Sequence, residues 1–475
     1  MKTLNNQYRL ERDTIGEVKV PKYSYYGAQT VRAMENFPIS GIRPHPVFTR
    51  AAVFIKKAAA KVNNELGCLS DEKSKMIIKA ADRIIGGEFH DQFVVDVYQA
   101  GAGTSFNMNV NEVIANIAIE SMGGNKGDYS FVHPNDHVNF GQSTNDVYPT
   151  AMRIAGLLML KELISVMAEL GEALNRKAQE FNLIVKSGRT HLQDAAPVRL
   201  GQEFSGYADS VAKSVERIEN ASISLHELGI GGTAVGTGLN THPEYTNRII
   251  NELQKLTNLP VRSAKNRFEA MQSNAPVAEV SSSIKVFVLE LIRIANDLRL
   301  LSSGPKTGLD EINLPAVQPG SSIMPAKVNP VMAEMLTMVC FSVIGNDLTI
   351  TMASQAGQLE LNVMMPVMQY KLLDSISIIT NALKVFISKC VNGITANKEK
   401  CYQYAVNSFA IVTALNPYIG YSNAAVVAKE SRLTGKSLKE VVLERGLIDE
   451  EKLDEILSPE SMTQPGLPHQ DDSYK

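Results

Sequence analysis

Residues 320–330 combine glycine, hydroxyl, cationic and proline residues in a pattern that could do acid–base chemistry on an anion. The run reads Gly-Ser-Ser-Ile-Met-Pro-Ala-Lys-Val-Asn-Pro. Because proline fixes φ and removes a backbone donor, this stretch predicts a loop. A helix is predicted over Val331–Ile344, so free backbone N–H groups lie beside the loop. Lys327 adds a positive charge, while Ser321 and Ser322 add hydroxyls that donate a hydrogen bond or, once deprotonated, accept a proton. An ordinary proline-rich connector is the alternative.

Three further polar loops carry residues of similar kinds. Thr104 lies in a glycine-rich turn before a helical stretch, a position that suits a carboxylate. The cluster Gln142–Asp146 holds short polar side chains, for which helix capping alone is the alternative. Residues 187–194 include Thr190 and His191, which could hold an anion or transfer protons, although a loop histidine is more often simply hydrogen-bonded. Hydroxyls, amides and a few cations together suit a small dicarboxylate, and no metal-ligand spacing or Walker loop occurs.

One motif, Gly229–Ala234, formally fits the dinucleotide fingerprint G-x-G-x-x-A. The residues before it have helical rather than strand patterning, and no βαβ unit is predicted around it. We therefore interpret it as a glycine-rich turn between long helices.

The run at 320–330 resembles the signature Gly-Ser-Ser-x-Met-Pro-x-Lys-x-Asn-Pro of the aspartase/fumarase superfamily at every fixed position. The other three loops coincide with motifs of the same family, and the resemblance covers nearly the whole chain. It implies a lyase that removes a proton from the carbon beside a carboxylate, forms an enediolate dianion and expels an amine or hydroxide. Such chemistry requires many hydrogen-bond donors around that carboxylate. The resemblance implies neither a cofactor nor a metal.

The resemblance also implies a role for each polar residue of the four loops. Ser321 is the general base, on a mobile loop that closes over the substrate. Backbone amides near Ile323 and Met324 are expected to stabilise its alkoxide. His191 is the second catalytic residue and pairs with Glu334 in a possible charge relay. The substrate-binding residues are Thr104, Ser143, Thr144 and Ser322 around the carboxylate that becomes the enediolate, Lys327 and Asn329 around the other carboxylate, and Asn145, Thr190 and His191 around the leaving group.

Three short stretches resemble the ammonia-lyase branch of the family, namely 101–105, 135–139 and 142–146, whereas Gly231–Tyr245 is closer to the fumarase branch. The expected reaction is therefore the reversible deamination of L-aspartate to fumarate and ammonia. Met365 departs from this branch, which usually carries glutamate there, and leaves the amine specificity open. The alternatives are fumarate hydration and a non-catalytic structural protein on the same scaffold.

Apolar residues that recur every three or four positions predict a mainly α-helical protein in three domains, 1–142, 143–396 and 397–475. The central domain is expected to be a bundle of about five long helices, and their broad apolar stripes predict further packing between subunits. The resemblance implies a homotetramer in which three subunits contribute to each active site. The long helices are predicted at 154–181, 201–228, 274–301, 330–353 and 366–392; shorter ones are predicted at 51–66, 73–85, 107–122, 423–433, 437–445 and 450–457, and a strand at 17–21.

Composition narrows the function classes. A net charge of -3, with 44% apolar and 20% charged residues, gives no reason to expect a nucleic-acid partner or an acidic membrane. Apolar segments such as Ile284–Ile294 are interrupted by charges, so no membrane span is predicted. The first residues lack a hydrophobic signal core, which predicts a cytoplasmic protein. The widely spaced Cys68, Cys340, Cys390 and Cys401 are interpreted as buried thiols.

Overall fold

The computed structural model describes residues 7–466 and is mainly helical, as predicted. These residues form two compact units. The first comprises 7–165, 214–288 and 339–380, and the second comprises 166–213, 289–338 and 381–466. The α-helices are α1 (Ala28–Asn36), α2 (Pro46–Glu65), α3 (Asp71–Ile85), α4 (Thr104–Ser121), α5 (Thr144–Glu180), α6 (Leu200–Ser222), α7 (Tyr245–Thr257), α8 (Arg267–Gln272), α9 (Ala275–Leu301), α10 (Val331–Ser354), α11 (Met365–Lys389), α12 (Lys398–Asn407), α13 (Asn416–Thr434), α14 (Leu438–Glu444) and α15 (Glu450–Ile456).

The five predicted long helices are confirmed as α5, α6, α9, α10 and α11. Helix α5 has 37 residues, which corresponds to a length of about 55 Å. It begins at Thr144 rather than at the predicted Ile154. The backbone N–H of Ser143 donates to the Asp146 carboxylate (2.9 Å), so a side chain caps its first turn. Pro149 lies inside the helix, and a proline in the sequence usually indicates a helix start.

Short strands pair in twos within the described residues. The antiparallel pairs are β1 (Tyr8–Arg12) with β2 (Glu17–Pro21), β3 (Val185–Thr190) with β4 (Gln193–Arg199), and β7 (Ile312–Asn313) with β8 (Thr395–Ala396); β5 (Glu227–Leu228) and β6 (Arg262–Ser263) pair in parallel. Only β2 was predicted, because the others are too short or too polar to show alternation of apolar residues.

An aromatic cluster in the first unit holds the start of α4 close to α5. The rings of Phe48 and Phe106 stack with centroids 4.7 Å apart, and Tyr148 packs edge-on against Phe48 at 4.9 Å. Gly103 precedes α4 with φ +96°, and a Cβ there would lie 2.1 Å from the Tyr148 ring. Only glycine permits this approach, which fixes the position of Thr104.

The second unit contains its own small core where α13, α14 and α15 meet. Its buried residues include Val427, Val441, Leu453 and Ile456. Ser437 begins α14 with a capping box, in which its hydroxyl and backbone exchange hydrogen bonds with Glu440. The C-terminal helices predicted from the sequence are therefore present.

Two predictions from composition need correction. Helix α10 is, by length and composition, apolar enough to cross a membrane, although 39% of its most apolar window is buried inside the protein. The sequence-based prediction that no segment spans a membrane was based on segments such as 284–294, where charged residues interrupt the apolar run. Helix α10 contains fewer charged residues. Cys340, Cys390 and Cys401 are buried free thiols as predicted, but Cys68 is only half-buried because it follows α2 in a turn.

Candidate active site

The serine loop closes on itself directly before α10. The N–H of Gly320 donates to the carbonyl of Lys327 (2.9 Å), and the Asn329 amide donates to the carbonyl of Gly320 (2.5 Å). A Cβ on Gly320 would lie 2.2 Å from that lysine carbonyl, so the closure requires glycine. The loop is thus a small ring whose ends are fixed and whose tip is exposed.

Ser321 lies inside this ring and accepts two hydrogen bonds. Its Oγ receives the backbone N–H groups of Ile323 (3.2 Å) and Met324 (3.0 Å), which are the donors expected from the sequence. Donors aimed at a hydroxyl oxygen stabilise the negative charge that it carries after losing its proton. The arrangement can therefore support a serine base, and Ser322 follows on the exposed side.

A cavity of about 750 Å³ in the second unit brings together three of the predicted residues. Lys327, Asn329 and Glu334 all line it, together with Arg299. Arg299, Lys327 and the Asn329 amide could bind a carboxylate ligand, while Glu334 and Asp310 also line the cavity and offset the charge of the two cations. Among the contacts of the described residues, none joins Glu334 to His191, so that pairing stays a prediction.

Thr190 and His191 lie in a β-hairpin, not in the loop that the sequence predicted. Strands β3 and β4 pair up to Thr190 and Gln193, so the turn consists of His191 and Leu192 alone. Both turn residues have positive φ, +56° and +60°, which matches the two-residue turns that suit paired strands. The tip is exposed, with Leu192 at 69%. His191 therefore lies at the exposed tip of a regular hairpin turn.

A buried ion cluster fixes the base of this hairpin and was missed by the sequence analysis. Glu311 is fully buried, and its two carboxylate oxygens lie 3.0 Å from Lys186 Nζ and 2.9 Å from Arg189 Nη1. Lys186 also pairs with Glu203 of α6 at 2.8 Å. A register shift between Ser187 and Gly188 brings Lys186 and Arg189 to the same side of β3. Arg189 belongs to the polar stretch 187–194 identified from the sequence, and its counter-charge is Glu311 of the same chain.

The first unit orients the hydroxyls of its polar loops. Ser143 Oγ accepts the backbone N–H of Asn145 (3.2 Å), and Thr144 Oγ1 accepts the Asn107 amide (3.1 Å). Each of these hydroxyls therefore keeps its proton for another acceptor, such as a carboxylate. Thr104 differs, since its hydroxyl donates to the carbonyl of Gly101 (2.7 Å). It must exchange this partner before it can donate to a ligand.

Lys56 lies beneath these loops and is a second residue that the sequence analysis missed. It is fully buried, and its Nζ donates to Asn139 (2.8 Å) and Gln142 (3.0 Å). Burial lowers the pKa of Lys56 to about 7, and the Asp146 carboxylate opposes that shift. Burial likewise raises the pKa of Asp146 to about 6. The only sequence signal was a lysine within an apolar helical stretch.

The interpretation of Gly229–Ala234 needs a partial correction. The short strand β5 does precede it, and β5 and β6 are parallel with α7 between them. However, α7 begins only at Tyr245, so the glycines do not open a helix as the fingerprint requires. The backbone N–H groups of the turn face the carboxylate of Asp146.

Comparison with known proteins identifies the family. A model described as Lyase matches residues 16–345, and one described as Fumarase C C-terminus matches residues 411–464. The chain belongs to the aspartase/fumarase superfamily. Relatives in this superfamily include the aspartate ammonia-lyases of a Bacillus species (52% identity; 98% of this chain and 99% of the relative), of Helicobacter pylori strain 26695 (50%; 96% and 98%) and of Escherichia coli K12 (50%; 97% and 97%).

Solved structures of the superfamily share the fold. A fumarate lyase:delta crystallin from Brucella melitensis bound to cobalt superposes with a TM-score of 0.94 at 45% identity, covering 96% of this chain and 100% of that one. A class II fumarase from Schistosoma mansoni superposes with a TM-score of 0.93 at 37% identity, covering 96% and 99%.

The predicted site residues of this superfamily member fall in both units. The first unit carries Thr104, Ser143, Thr144 and Asn145; the second carries Thr190, His191, Ser321, Ser322, Lys327, Asn329 and Glu334. Within the part of the chain that the structure describes, no three histidine, cysteine or acidic residues are grouped so that they could hold a metal ion. The roles of the individual residues stay predictions.

Proposed function

We propose that this chain catalyses the reversible deamination of L-aspartate to fumarate and ammonia, with Ser321 as the base. The observation that carries the mechanism is the pair of backbone N–H groups at Ser321 Oγ. The deprotonated Ser321 takes a proton from C3 of the substrate, and the electron pair moves into the adjacent carboxylate. The resulting enediolate then forms the C2–C3 double bond as the C2–N bond breaks, which releases ammonia.

The growing charge on that carboxylate requires donors that strengthen in the transition state. The free protons of Ser143 and Thr144 meet this need, and Thr104 and Ser322 add further hydroxyls. Lys327 holds the second carboxylate by charge and Asn329 by its amide.

Asn145 supports an amine as the leaving group. Its Nδ2 already donates to the carbonyl of Ala234 (2.8 Å), so the remaining Oδ1 is an acceptor. An ammonium group is a donor and fits it, with Thr190 and His191 completing the amine site. Met365 is fully buried at the start of α11, where a carboxylate would carry a desolvation penalty. We therefore assign amine recognition to Asn145 rather than to position 365.

The proposed enzyme is a cytoplasmic homotetramer with sites built from three subunits. One face of α10 in the first unit exposes Phe341 (59%), Leu348 (63%) and Met352 (56%) at helical spacing. An apolar stripe of this kind is typical of a helix that packs against another copy of the chain.

The experiment that tests the function follows fumarate by ultraviolet absorbance after adding L-aspartate or L-malate separately. Fumarate from L-aspartate alone is the expected result, and it agrees with relatives that are about half identical. Fumarate from L-malate alone would instead identify a fumarate hydratase. No product from either would favour a structural protein that uses the same scaffold.

A further inference from the structure

The glycine-rich turn 229–234 binds a carboxylate of its own chain. The backbone N–H groups of Gly231 and Thr233 each donate to Oδ2 of Asp146 at 3.0 Å, and Asp146 is fully buried. Backbone N–H groups that converge on one oxygen form a concavity that favours an anion, here called the nest, while the N–H of the intervening Gly232 donates to the Gly229 carbonyl. The anion in this nest is supplied by α5.

The turn adopts strained backbone to form the nest. Gly231 has φ +86°, and a Cβ there would lie 2.2 Å from Thr246 Oγ1. Thr233 has φ +55°, an unfavourable conformation for a β-branched residue. Strained conformations persist only where the surroundings impose them. The two hydrogen bonds to Asp146 are such a constraint.

The same contacts reach the substrate-binding residues. The second oxygen of Asp146, Oδ1, accepts the N–H of Ser143 (2.9 Å). The turn also contacts Asn145 directly, because the Ala234 carbonyl accepts a hydrogen bond from the Asn145 side-chain amide (2.8 Å). Ser143 and Asn145 are in turn joined by the hydrogen bond from the Asn145 N–H to Ser143 Oγ. One carboxylate and one turn therefore hold the loop from both sides.

We propose that Asp146 is a positioning residue, whose carboxylate in the nest of the 229–234 turn fixes Ser143 and Asn145 for the substrate carboxylate and amine. This inference rests on the proposed function. The positioning role of Asp146 explains the glycine pattern at 229–234, which resembles a dinucleotide fingerprint.

The test is Asp146→Asn in the full-length protein, assayed in the direction of ammonia addition with ammonia and fumarate varied separately. The amide keeps the size of the side chain, but its NH₂ group faces N–H donors and loses part of the nest. We expect KM for ammonia and KM for fumarate to rise about tenfold or more. A purely structural role would lower the fraction of active protein, and hence kcat, while leaving both KM values unchanged.

Asp96→Asn is the matched control. Asp96 is also a buried carboxylate that accepts backbone N–H groups, those of Ser40, Gly41 and Tyr98, but it touches none of the predicted site residues. Its substitution is expected to leave both KM values within about twofold of the wild type.

A second variant approaches the same nest from the turn. Gly231→Ala brings a Cβ against Thr246 and should raise the same KM values. Gly87→Ala is its control, since Gly87 also has positive φ (+106°) but open space around it. If both nest variants fold poorly, amide hydrogen exchange of the wild-type protein is measured with and without succinate instead. Added succinate should then slow exchange in the peptide that contains 231–233.

The outcomes separate the two proposals. A wild-type protein that forms no fumarate from L-aspartate refutes the proposed function. An active wild type whose nest variants keep both KM values, or whose turn exchanges equally fast with succinate, refutes the positioning role of Asp146.

Discussion

At the scale of single residues, the proposed chemistry depends on one hydroxyl that few other contacts hold in place. Ser321 is half-buried, and its side chain receives two backbone hydrogen bonds but packs little. Ser321→Ala should therefore lower kcat by about a thousandfold or more, while the thermal midpoint stays at the wild-type value. Ser322→Ala is the control, and it should mainly raise KM. Near-normal kcat in the Ser321 variant would show that another group is the base.

Lys56 gives a prediction for stability against pH. Burial lowers its pKa to about 7 in the folded protein, whereas an unfolded lysine titrates near its ordinary value of about 10.4. Between these values the unfolded chain binds a proton that the folded chain lacks, so the Lys56 contribution to the free energy of unfolding rises with pH. The slope approaches about 1.4 kcal/mol per pH unit.

Lys56→Met removes this contribution. The denaturant midpoints of the variant and the wild type are compared at pH 7.5 and at pH 9.5. The midpoint of the variant is expected to lie further below that of the wild type at pH 9.5 than at pH 7.5. The neighbouring Lys57 is partly exposed and pairs with Asp82, so Lys57→Met should keep the wild-type dependence. Parallel curves for the wild type and Lys56→Met would contradict the prediction.

At the scale of elements, the ion cluster around Glu311 fixes the hairpin that carries Thr190 and His191. Glu311→Gln leaves Lys186 and Arg189 near each other with one counter-charge fewer in a buried place. Breaking a buried pair in this way is expected to lower the free energy of unfolding by about 3–5 kcal/mol. Asp209→Ala, which breaks an exposed pair with Lys213, should cost less than about 1 kcal/mol. Denaturant melts of both variants provide the measurement, and equal losses would contradict the assignment.

The long helices could be predicted because their apolar spacing repeats over many turns. The hairpin could not, because β3 carries Lys186 and Arg189 towards the interior and a register shift breaks its alternation. The start of α5 at Thr144 could not be predicted because it lies in a polar cluster without apolar periodicity. The helix is capped there by side-chain hydrogen bonds, which the sequence pattern does not reveal. Strand β5 contains only Glu227 and Leu228, which is too short for any pattern.

At the scale of the whole molecule, the sequence located the polar loops but not the partners that hold them. Ser321 and its neighbours were recognised from one compact run of residues. Lys56, Asp146 and Glu311 were not assigned a role, because each acts through contacts with residues far away in the sequence. The predicted site residues are divided between two units of the chain.

If each site takes Thr144 and Ser321 from different subunits, inactive variants should restore one another. Thr144→Val and Ser321→Ala are each expected to have little activity alone. If the proposed tetramers assemble at random after equal co-expression, each required residue is intact with a chance of one half, so about one quarter of the sites should be complete. Ser321→Ala co-expressed with Lys327→Ala is the control and should restore nothing, because both residues belong to one loop. The measurement is the activity of the purified mixed oligomers. If the first pair restores no activity, Thr144 and Ser321 of the same chain serve one site.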